Sequence, residues 1–359
     1  MVVRTQLECF YRDKAVLVTG HTGFKGGWLA VWLKAMGAKV SGLALPAENG
    51  RNSFFRRARV GQGMDSVIAD VQDFDSVLKT FKRHRPQVVF HCAAQALVLR
   101  SYRDPVETYG TNVMGSVHVL EAARRTPSVR AVVIVTSDKC YENRNWERGY
   151  LEDDAMGGYD PYSSSKGCAE LITAAYRRSF AGDGRGLAIA SARAGNVIGG
   201  GDWAQDRLIP DLVRGISRGE VIAIRNPGAV RPWQHVLDPL RGYLMLGRRL
   251  WENGNGFAEA WNFGPHETSQ SVEEVARQLI RLWGSGRLKI AKSSKSPHEA
   301  HYLKLDCTKA RSLLGWHSLL SLDDALRLTV DWYRTVNLDG RQAAAKTGDQ
   351  IQRYMDLPC

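Results

Sequence analysis

Short apolar runs alternate with amphipathic stretches along the first half of the chain. The apolar runs, rich in β-branched residues and alanine, occupy residues 14–20, 38–45, 65–70, 87–94 and 129–137. Positions with helical spacing occupy residues 26–37, 73–85, 105–125 and 162–178. Continuous apolar strands separated by helices are typical of a parallel sheet that is covered on both faces. The pattern therefore predicts a doubly wound α/β fold.

The rhythm changes after about Ser191, where glycine, proline, asparagine and tryptophan become frequent. Helical patterns follow at residues 207–218, 236–252, 271–284 and 322–335. We expect a smaller α/β substrate-binding region at the carboxyl edge of the sheet, where open α/β sheets bind ligands. The expected division is a dinucleotide-binding domain (1–192 plus about 229–262), a substrate domain (about 193–228 plus 263–335) and a frayed or docking tail (336–359).

Composition narrows the class of protein. The 359 residues include 49 Lys+Arg and 37 Asp+Glu, a formal net charge of +12, and the hydrophobic and charged fractions of 44% and 24% are ordinary for a globular protein. The basic residues are scattered in twos and threes, which argues against nucleic acid as a partner. The scattered cysteines lack metal-ligand spacing, and neither a signal peptide nor a membrane-spanning run is present. We therefore expect a cytoplasmic protein without a metal site.

A glycine-rich turn joins the first predicted strand to the first predicted helix. Gly20, Gly23 and Gly26 have the spacing G-x-x-G-x-x-G. Glycines there allow a tight turn and a close backbone approach to a pyrophosphate, which then lies on the helix N-terminus. The turn predicts a Rossmann-type dinucleotide site.

The choice between NAD and NADP stays open at this point. The second predicted strand ends in residues 43–46 without the acidic residue that normally holds the adenosine ribose, and Arg51, Arg56 and Arg57 follow. Arginines there can accommodate a 2′-phosphate. Asp70 is equally well a contact for the adenine edge or a turn residue.

Tyr162 and Lys166 form Y-x-x-x-K at the start of a helical stretch, where residues four apart share one face. An ammonium beside a phenol lowers the pKa of the phenol, as a general base requires. Ser137, at the end of the fifth strand, can hydrogen-bond the same substrate oxygen. Asp138 and Lys139 follow it; they add an acid–base pair or form a solvated ion pair. The set predicts an oxidoreductase that removes a proton and a hydride from a carbinol.

With these motifs, the chain resembles the sugar-nucleotide dehydratases and epimerases of the extended short-chain dehydrogenase/reductase superfamily, most closely the CDP-glucose 4,6-dehydratases. The resemblance covers about residues 10–335. It is carried by residues 20–26, 90–102, 111–122, 136–143, 159–170, 191–211, 231–244, 261–265 and 305–316. The Ser-Asp-Lys triplet and the region from 199 to 235 are its most specific parts.

The resemblance implies a lyase that makes CDP-4-keto-6-deoxy-D-glucose for deoxysugar and O-antigen-type polysaccharide biosynthesis. Tyr162 then takes the proton of the sugar 4-hydroxyl while nicotinamide takes the C4 hydride. Asp138 is the acid toward the departing C6 hydroxyl, and Lys139 is the C5 base or a cation that stabilises the enolate. An epimerase or reductase of the same fold, which needs Tyr162 and Lys166 but not Asp138 and Lys139, is the alternative, as is a dehydratase for another nucleotide sugar.

The resemblance also implies the ligand contacts. The catalytic set is Ser137, Asp138, Lys139, Tyr162 and Lys166. The NAD set is Gly20, His21, Thr22, Gly23, Phe24, Lys25, Gly26, Asp70, Val71, Ala93, Ala94, Gln95, Tyr162 and Lys166. The substrate set is Gln95, Asn196, Arg193 and Arg231, where Arg193 has a buried ion pair as its competing interpretation. His21 and Lys25 help pyrophosphate binding or hinder it by their bulk. Helices 105–125 and 162–178 suggest a homodimer, with a tetramer possible.

Overall fold

The computed structural model describes residues 2–48, 50–180, 186–224, 226–266, 270–290, 302–338 and 342–358. The strands are β1 Ala15–Thr19, β2 Lys39–Ala44, β3 Asp65–Ile68, β4 Val88–His91, β5 Ala131–Val135, β6 Ala188–Ala194, β7 Val197–Ile198, β8 Val221–Ile224, β9 Val230–Arg231, β10 Gln234–His235, β11 Ala260–Phe263, β12 Gln270–Ser271 and β13 Arg287–Ile290. The α-helices are α1 Val2–Tyr11, α2 Phe24–Ala35, α3 Phe54–Arg57, α4 Phe74–His84, α5 Val98–Arg103, α6 Pro105–Tyr109, α7 Gly115–Arg124, α8 Pro161–Phe180, α9 Leu208–Arg218, α10 Leu237–Asn253, α11 Val272–Trp283, α12 Leu322–Leu338 and α13 Ala343–Met355.

A seven-stranded parallel sheet is the centre of the molecule, in the order β3-β2-β1-β4-β5-β6-β11. The strand order reverses between β1 and β4, where Thr19 lies opposite His91. The carboxyl ends of β1 and β4 therefore meet at the topological switch point, the place where doubly wound sheets bind ligands. The doubly wound α/β prediction is confirmed.

Local sequence explains how the elements begin and why they are buried. Every residue of β5 is buried, as expected for an apolar strand covered by helices on both faces. Helix α4 begins after Asp73, whose carboxylate accepts hydrogen bonds from the backbone N–H groups of Asp75 and Ser76. The helical pattern at 105–125 is one continuous helix that consists of α6, a π-helical turn at Gly110–Met114, and α7.

The smaller region contains the paired strands β7 with β10, β9 with β12, and β8 with β13. Both expected domain boundaries at 192 and 262 fall inside strands of the central sheet. Strand β6 continues to Ala194 and β11 to Phe263, because both are buried in the sheet as far as those residues.

Two interpretations were expected for the tail, a frayed or a docking segment. Fraying is wrong over its described parts, because residues 336–338 end helix α12 and residues 342–358 contain the packed helix α13. Helix α13 lies against α2, where the Trp32 indole N–H donates to the sulfur of Met355 at 3.1 Å. The Tyr354 hydroxyl donates to Asp238 Oδ1 at 2.7 Å. The apolar face of α13 therefore completes the core. Residues 339–341 and 359 of the predicted tail lie outside the described residues.

Two further expectations concern cysteines and the membrane. The five cysteines of the described ranges, namely Cys9, Cys92, Cys140, Cys168 and Cys307, are free thiols, and Cys359 lies outside those ranges. Among the helices that the structure describes, none has the length and apolar character to cross a bilayer.

Candidate active site

A cavity of about 590 Å³ opens at the switch point, between the carboxyl edge of the sheet and the smaller region. One wall is the glycine turn. Gly20 has φ +74°, and a Cβ there would lie 2.7 Å from the backbone nitrogen of Ala93, so only glycine fits without displacing the segment that follows β4. Helix α2 begins after Gly23, which has no side chain to cap it. The N–H groups of its first turn are therefore free to bind an anion such as a pyrophosphate.

His21 does not contribute its side chain to this wall, which corrects the expectation that it binds cofactor. Its ring is fully buried, shares a 2.7 Å hydrogen bond with Ser66 Oγ, and packs edge-on against Phe55. Burial lowers the pKa of His21 to about 4, against the raising effect of a hydrogen bond with the Leu43 backbone. His21 is therefore a neutral core residue.

The other residues of the turn line the cavity, namely Gly20, Thr22, Gly23, Phe24, Lys25 and Gly26. Lys25 points toward Tyr243, with 3.5 Å between its Nζ and the phenol oxygen. Burial lowers the pKa of Lys25 to about 8. The two expectations for Lys25, that its charge helps pyrophosphate binding or that its bulk hinders it, stay predictions.

The far wall of the cofactor side is formed by Asp70, Val71, Ala93, Ala94 and Gln95. Asp70 accepts the backbone N–H of Gln72 at 2.9 Å, as a turn residue does, and it also lines the cavity, so its contact with the adenine edge stays a prediction. The Gln95 amide bonds Leu97 and Thr108, so its side chain supports the wall.

Sequence reasoning missed an acidic residue on this wall. Glu48 lines the cavity just after β2 and forms a 3.0 Å ion pair with Arg100. It follows Pro46 and so comes later than the position where the motif places an acid. Arg56 and Arg57 lie outside the lining, and Arg57 bonds Asn52 at 2.7 Å; the side chain of Arg51 is outside the described residues. The arginines that favoured a 2′-phosphate are therefore not in the described site.

The proton-handling residues meet at the centre of the cavity. Ser137, Asp138, Lys139, Tyr162 and Lys166 all line it. The Ser137 hydroxyl donates to Asp138 Oδ1 at 3.0 Å, while Asp138 Oδ2 is buried and has no hydrogen-bond partner. Burial raises the pKa of Asp138, and the charge of Lys139 only partly opposes the rise. Asp138 is therefore suited to hold a proton and to give it up.

The phenol of Tyr162 differs from the expectation of a lowered pKa. Burial raises the pKa of Tyr162, while a hydrogen bond with Ser137 and the charge of Arg207 act in the opposite direction. Lys166 instead donates from Nζ to the Val135 carbonyl at 3.3 Å. Burial, followed by the charge of Lys25, lowers the pKa of Lys166 to about 8.

Arg207 is the second cavity residue that sequence reasoning missed. Its guanidinium pairs with Asp202 at 3.0 Å and donates to the Ala96 carbonyl at 3.3 Å. It thus bridges the smaller region and the loop that follows β4, and its charge acts on Tyr162. No sequence motif with a defined spacing includes Arg207, so only the fold identifies it as a cavity residue.

The substrate side holds two of the expected residues and excludes one. Asn196 and Arg231 line the cavity, and the charge of Arg231 acts on Asp138. Arg193 does not line it, and its role as a substrate ligand is corrected. Its guanidinium is buried against Glu170 at 2.8 Å and against the Tyr141 hydroxyl at 2.7 Å. The buried ion pair is therefore the correct interpretation of Arg193. Within the described part of the chain, no cluster of three or more metal-ligating side chains occurs.

Comparison with known proteins agrees with this geometry. The family model described as GDP-mannose 4,6 dehydratase matches residues 17–329. The chain is 50% identical to the CDP-glucose 4,6-dehydratase of Salmonella typhimurium over 330 residues, which cover 90% of this chain and 92% of that protein.

Solved structures of sugar-nucleotide dehydratases and epimerases are also similar to this chain. The dTDP-glucose 4,6-dehydratase DesIV of Streptomyces venezuelae, with NAD and TYD bound, is 25% identical with a TM-score of 0.76 and covers 89% of this chain and 97% of its own. The UDP-glucose 4-epimerase of Thermus thermophilus in complex with NAD is also 25% identical with a TM-score of 0.76, covering 89% and 98%. The chain therefore shares its fold with these NAD-bound proteins over about nine-tenths of its length.

Proposed function

Because the chain belongs to the GDP-mannose 4,6-dehydratase family, we propose that it converts CDP-D-glucose to CDP-4-keto-6-deoxy-D-glucose. The observation that carries the proposal is the buried Asp138 carboxyl in the same cavity as Tyr162. A reductase or epimerase needs the phenol alone, whereas loss of water also needs an acid for the departing hydroxyl. The 50% identity to a CDP-glucose 4,6-dehydratase supports cytidine as the nucleoside of the substrate.

The residues of the site fit NAD as the cofactor. The uncapped N-terminus of α2 suits the pyrophosphate, Gly20 gives the close approach that it needs, and Asp70 and Glu48 lie along the wall assigned to the adenosine. When bound, NAD accepts the C4 hydride of the sugar and returns it to C6, so the reaction has no net oxidation.

Tyr162 and Ser137 handle the first proton. The Tyr162 oxygen removes the proton of the sugar 4-hydroxyl, and the Ser137 hydroxyl donates a hydrogen bond to the same sugar oxygen. Arg207 and Lys166 supply positive charge near the phenolate that forms. The resulting 4-ketone makes the neighbouring C5–H acidic, which prepares the loss of water.

Asp138 and Lys139 act in the second stage. Asp138, whose protonated form is favoured by burial, gives its proton to the C6 hydroxyl as that group leaves. We assign Lys139 to the C5 position, where its amine takes up the C5 proton, stabilises the enolate as the ammonium so formed, and returns the proton to C5 once the hydride has reached C6.

Asn196 and Arg231 are the proposed ligands of the substrate diphosphate. The planar guanidinium of Arg231 presents donors that match two phosphate oxygens. Its charge acts on Asp138, which supports a diphosphate position next to the reacting hexose.

A surface formed by α5, α6 and α8 supports a two-fold dimer. These helices contact one another and carry exposed apolar side chains, namely Tyr102, Val106, Tyr109 and Leu171. A contiguous apolar face on a monomer marks an interaction surface, and the two-fold dimer is the commonest assembly.

The free thiols of the described residues favour a reducing compartment, so we place the reaction in the cytoplasm.

Incubation with CDP-, TDP- and GDP-hexoses, with and without added NAD or NADP, tests the proposal. We expect a 4-keto-6-deoxy product from CDP-glucose and NAD. Failure to convert any CDP-sugar with either cofactor would contradict it.

A further inference from the structure

Two consecutive residues at the end of β5 contact consecutive turns of α8. The Val135 carbonyl accepts a 3.3 Å hydrogen bond from Lys166, and the Thr136 hydroxyl donates a 2.5 Å hydrogen bond to Glu170 Oε1. The next residue after Thr136 is Ser137, which begins the reacting segment 137–139.

Glu170 is buried, and both oxygens of its carboxylate accept hydrogen bonds. Its Oε2 accepts from the Ser191 hydroxyl at 2.6 Å and from Arg193 at 2.8 Å. Burial raises its pKa, but the charge of Arg193 and the hydrogen bonds outweigh burial and lower it overall. The carboxylate is therefore ionised and accepts hydrogen bonds only, so the Thr136 hydroxyl is the donor.

Helical geometry connects this contact to the phenol. Glu170 lies four residues after Lys166 and eight after Tyr162, about one and two turns along the same face of α8. Close packing accompanies it, since a Cβ on Gly167 would lie 2.8 Å from the Gly157 carbonyl oxygen.

We infer that the hydrogen bond from Thr136 to Glu170 is a positioning contact that fixes α8 against the end of β5, and so holds Tyr162 opposite Ser137 and Asp138. Lys166 makes the other contact between these elements, but its proposed task is at the reacting groups. Glu170 does not line the cavity, so it acts on the reacting groups only through the position of α8. The inference rests on the proposed function, because it concerns how that reaction's groups are held.

Three variants test the inference. Thr136→Val removes the donor and keeps the shape, Thr136→Ser keeps the hydroxyl, and Ser191→Ala removes a different donor from the same carboxylate. Misplacement of reacting groups by about 1 Å costs on the order of 100-fold in rate. We expect Thr136→Val to lower kcat by about 10- to 100-fold with KM within about twofold of wild type. We expect both Thr136→Ser and Ser191→Ala to have a kcat within about threefold of the wild-type value.

Thermal unfolding measured in parallel separates position from stability. Thr136→Val and Ser191→Ala each leave the buried carboxylate with one donor fewer, so we expect similar losses in Tm. Equal kcat for these two variants, or a Thr136→Ser variant as slow as Thr136→Val, overturns the inference alone. A wild-type protein that converts no nucleotide hexose overturns the proposed function as well.

Discussion

Burial is the strongest influence on the titratable side chains of the cavity. It raises the pKa of Asp138 and of Tyr162, and it lowers the pKa of Lys25 and of Lys166 to about 8 in each case. Each group is thereby moved toward its neutral form, so proton transfer among them requires little change in charge. Such shifts in a cleft are typical of catalytic sites.

Replacement of Asp138 by Asn tests its role as the acid. The amide cannot give a proton to the departing hydroxyl, so we expect water loss to slow by about 10²- to 10⁴-fold while C4 oxidation continues. Reduced nicotinamide, followed by its absorbance in a single turnover, should then accumulate and persist. In the wild type, water loss should decline as pH rises through the raised pKa of Asp138. Equal slowing of both stages would contradict the assignment.

The charge of Arg207 lowers the pKa of the Tyr162 phenol, and substitutions can remove that charge or keep it. Arg207→Met withdraws a cation that favours the Tyr162 phenolate, so the pKa of Tyr162 rises further. We expect the rise of kcat with pH to move to higher pH in Arg207→Met. Arg207→Lys keeps the charge and is the matched control, with a profile close to that of wild type. Coincident profiles for the wild type and both variants would show that Arg207 does not act on the phenol.

At the level of single residues, the sequence identified those that belong to ordered motifs. Gly20, Ser137, Tyr162 and Lys166 were predictable because the turn or the helical repeat fixes their direction. Arg193 was harder, since whether a strand-end arginine faces the ligand or a buried carboxylate depends on a partner at long range, Glu170.

Element prediction succeeded where burial follows a simple period. The apolar runs and helical repeats of the first half correspond to β1–β5 and to helices between them because both faces of that sheet are covered. Helices α1 and α13 were not predicted. Their apolar faces are completed only by packing on distant elements, as Tyr11 shows by donating to the Leu244 carbonyl at 2.8 Å.

The packing of α13 against α10 makes stability depend on pH. Burial raises the pKa of Asp238 from 3.8 to about 6, although hydrogen bonds with Leu319 and Tyr354 oppose it. An acid whose pKa is raised by folding stabilises the protein fully below its unfolded pKa, and that stabilisation is lost as pH rises through the folded pKa. A shift of this size corresponds to at most about 3 kcal/mol.

Asp238→Asn removes this titration and keeps an oxygen for Tyr354 and Leu319. We expect the free energy of unfolding of the variant, relative to wild type, to increase between about pH 4 and pH 7. Denaturant unfolding at several pH values measures the difference. A constant difference across that range would mean that Asp238 titrates alike in the folded and unfolded protein.

At the scale of the molecule, the net charge of +12 is distributed without a basic stripe in the sequence, and a few cations face the cavity. The basic residues that line it, where an anionic cofactor and substrate would lie, are Lys25, Arg100, Lys139, Lys166, Arg207 and Arg231. Most basic residues of the described ranges do not line the cavity, so the charge alone could not have identified the function. These cations come together because the smaller region lies over the switch point and closes the cavity there.

The proposed dimer face gives the last prediction. Leu171 is 58% exposed and lies nine residues after Tyr162, which places it on the opposite side of α8 from the cavity. An arginine at this position cannot be desolvated in an apolar interface without a partner. We expect Leu171→Arg to elute and scatter light as a monomer of 39.9 kDa, whereas the wild type has twice that mass.

Leu313→Arg provides the matched control, because Leu313 is 59% exposed and lies in the π-helical turn Ala310–Leu314, away from α5, α6 and α8. It adds the same charge at the same exposure, so it should leave the dimer intact. If both variants dissociate, added charge rather than the α8 face is responsible. If neither does, or if the wild type is itself a monomer, the apolar face on α5, α6 and α8 is not a dimer interface. Because Leu171→Arg leaves the cavity side of α8 unchanged, the activity of its monomer then measures how far catalysis depends on assembly.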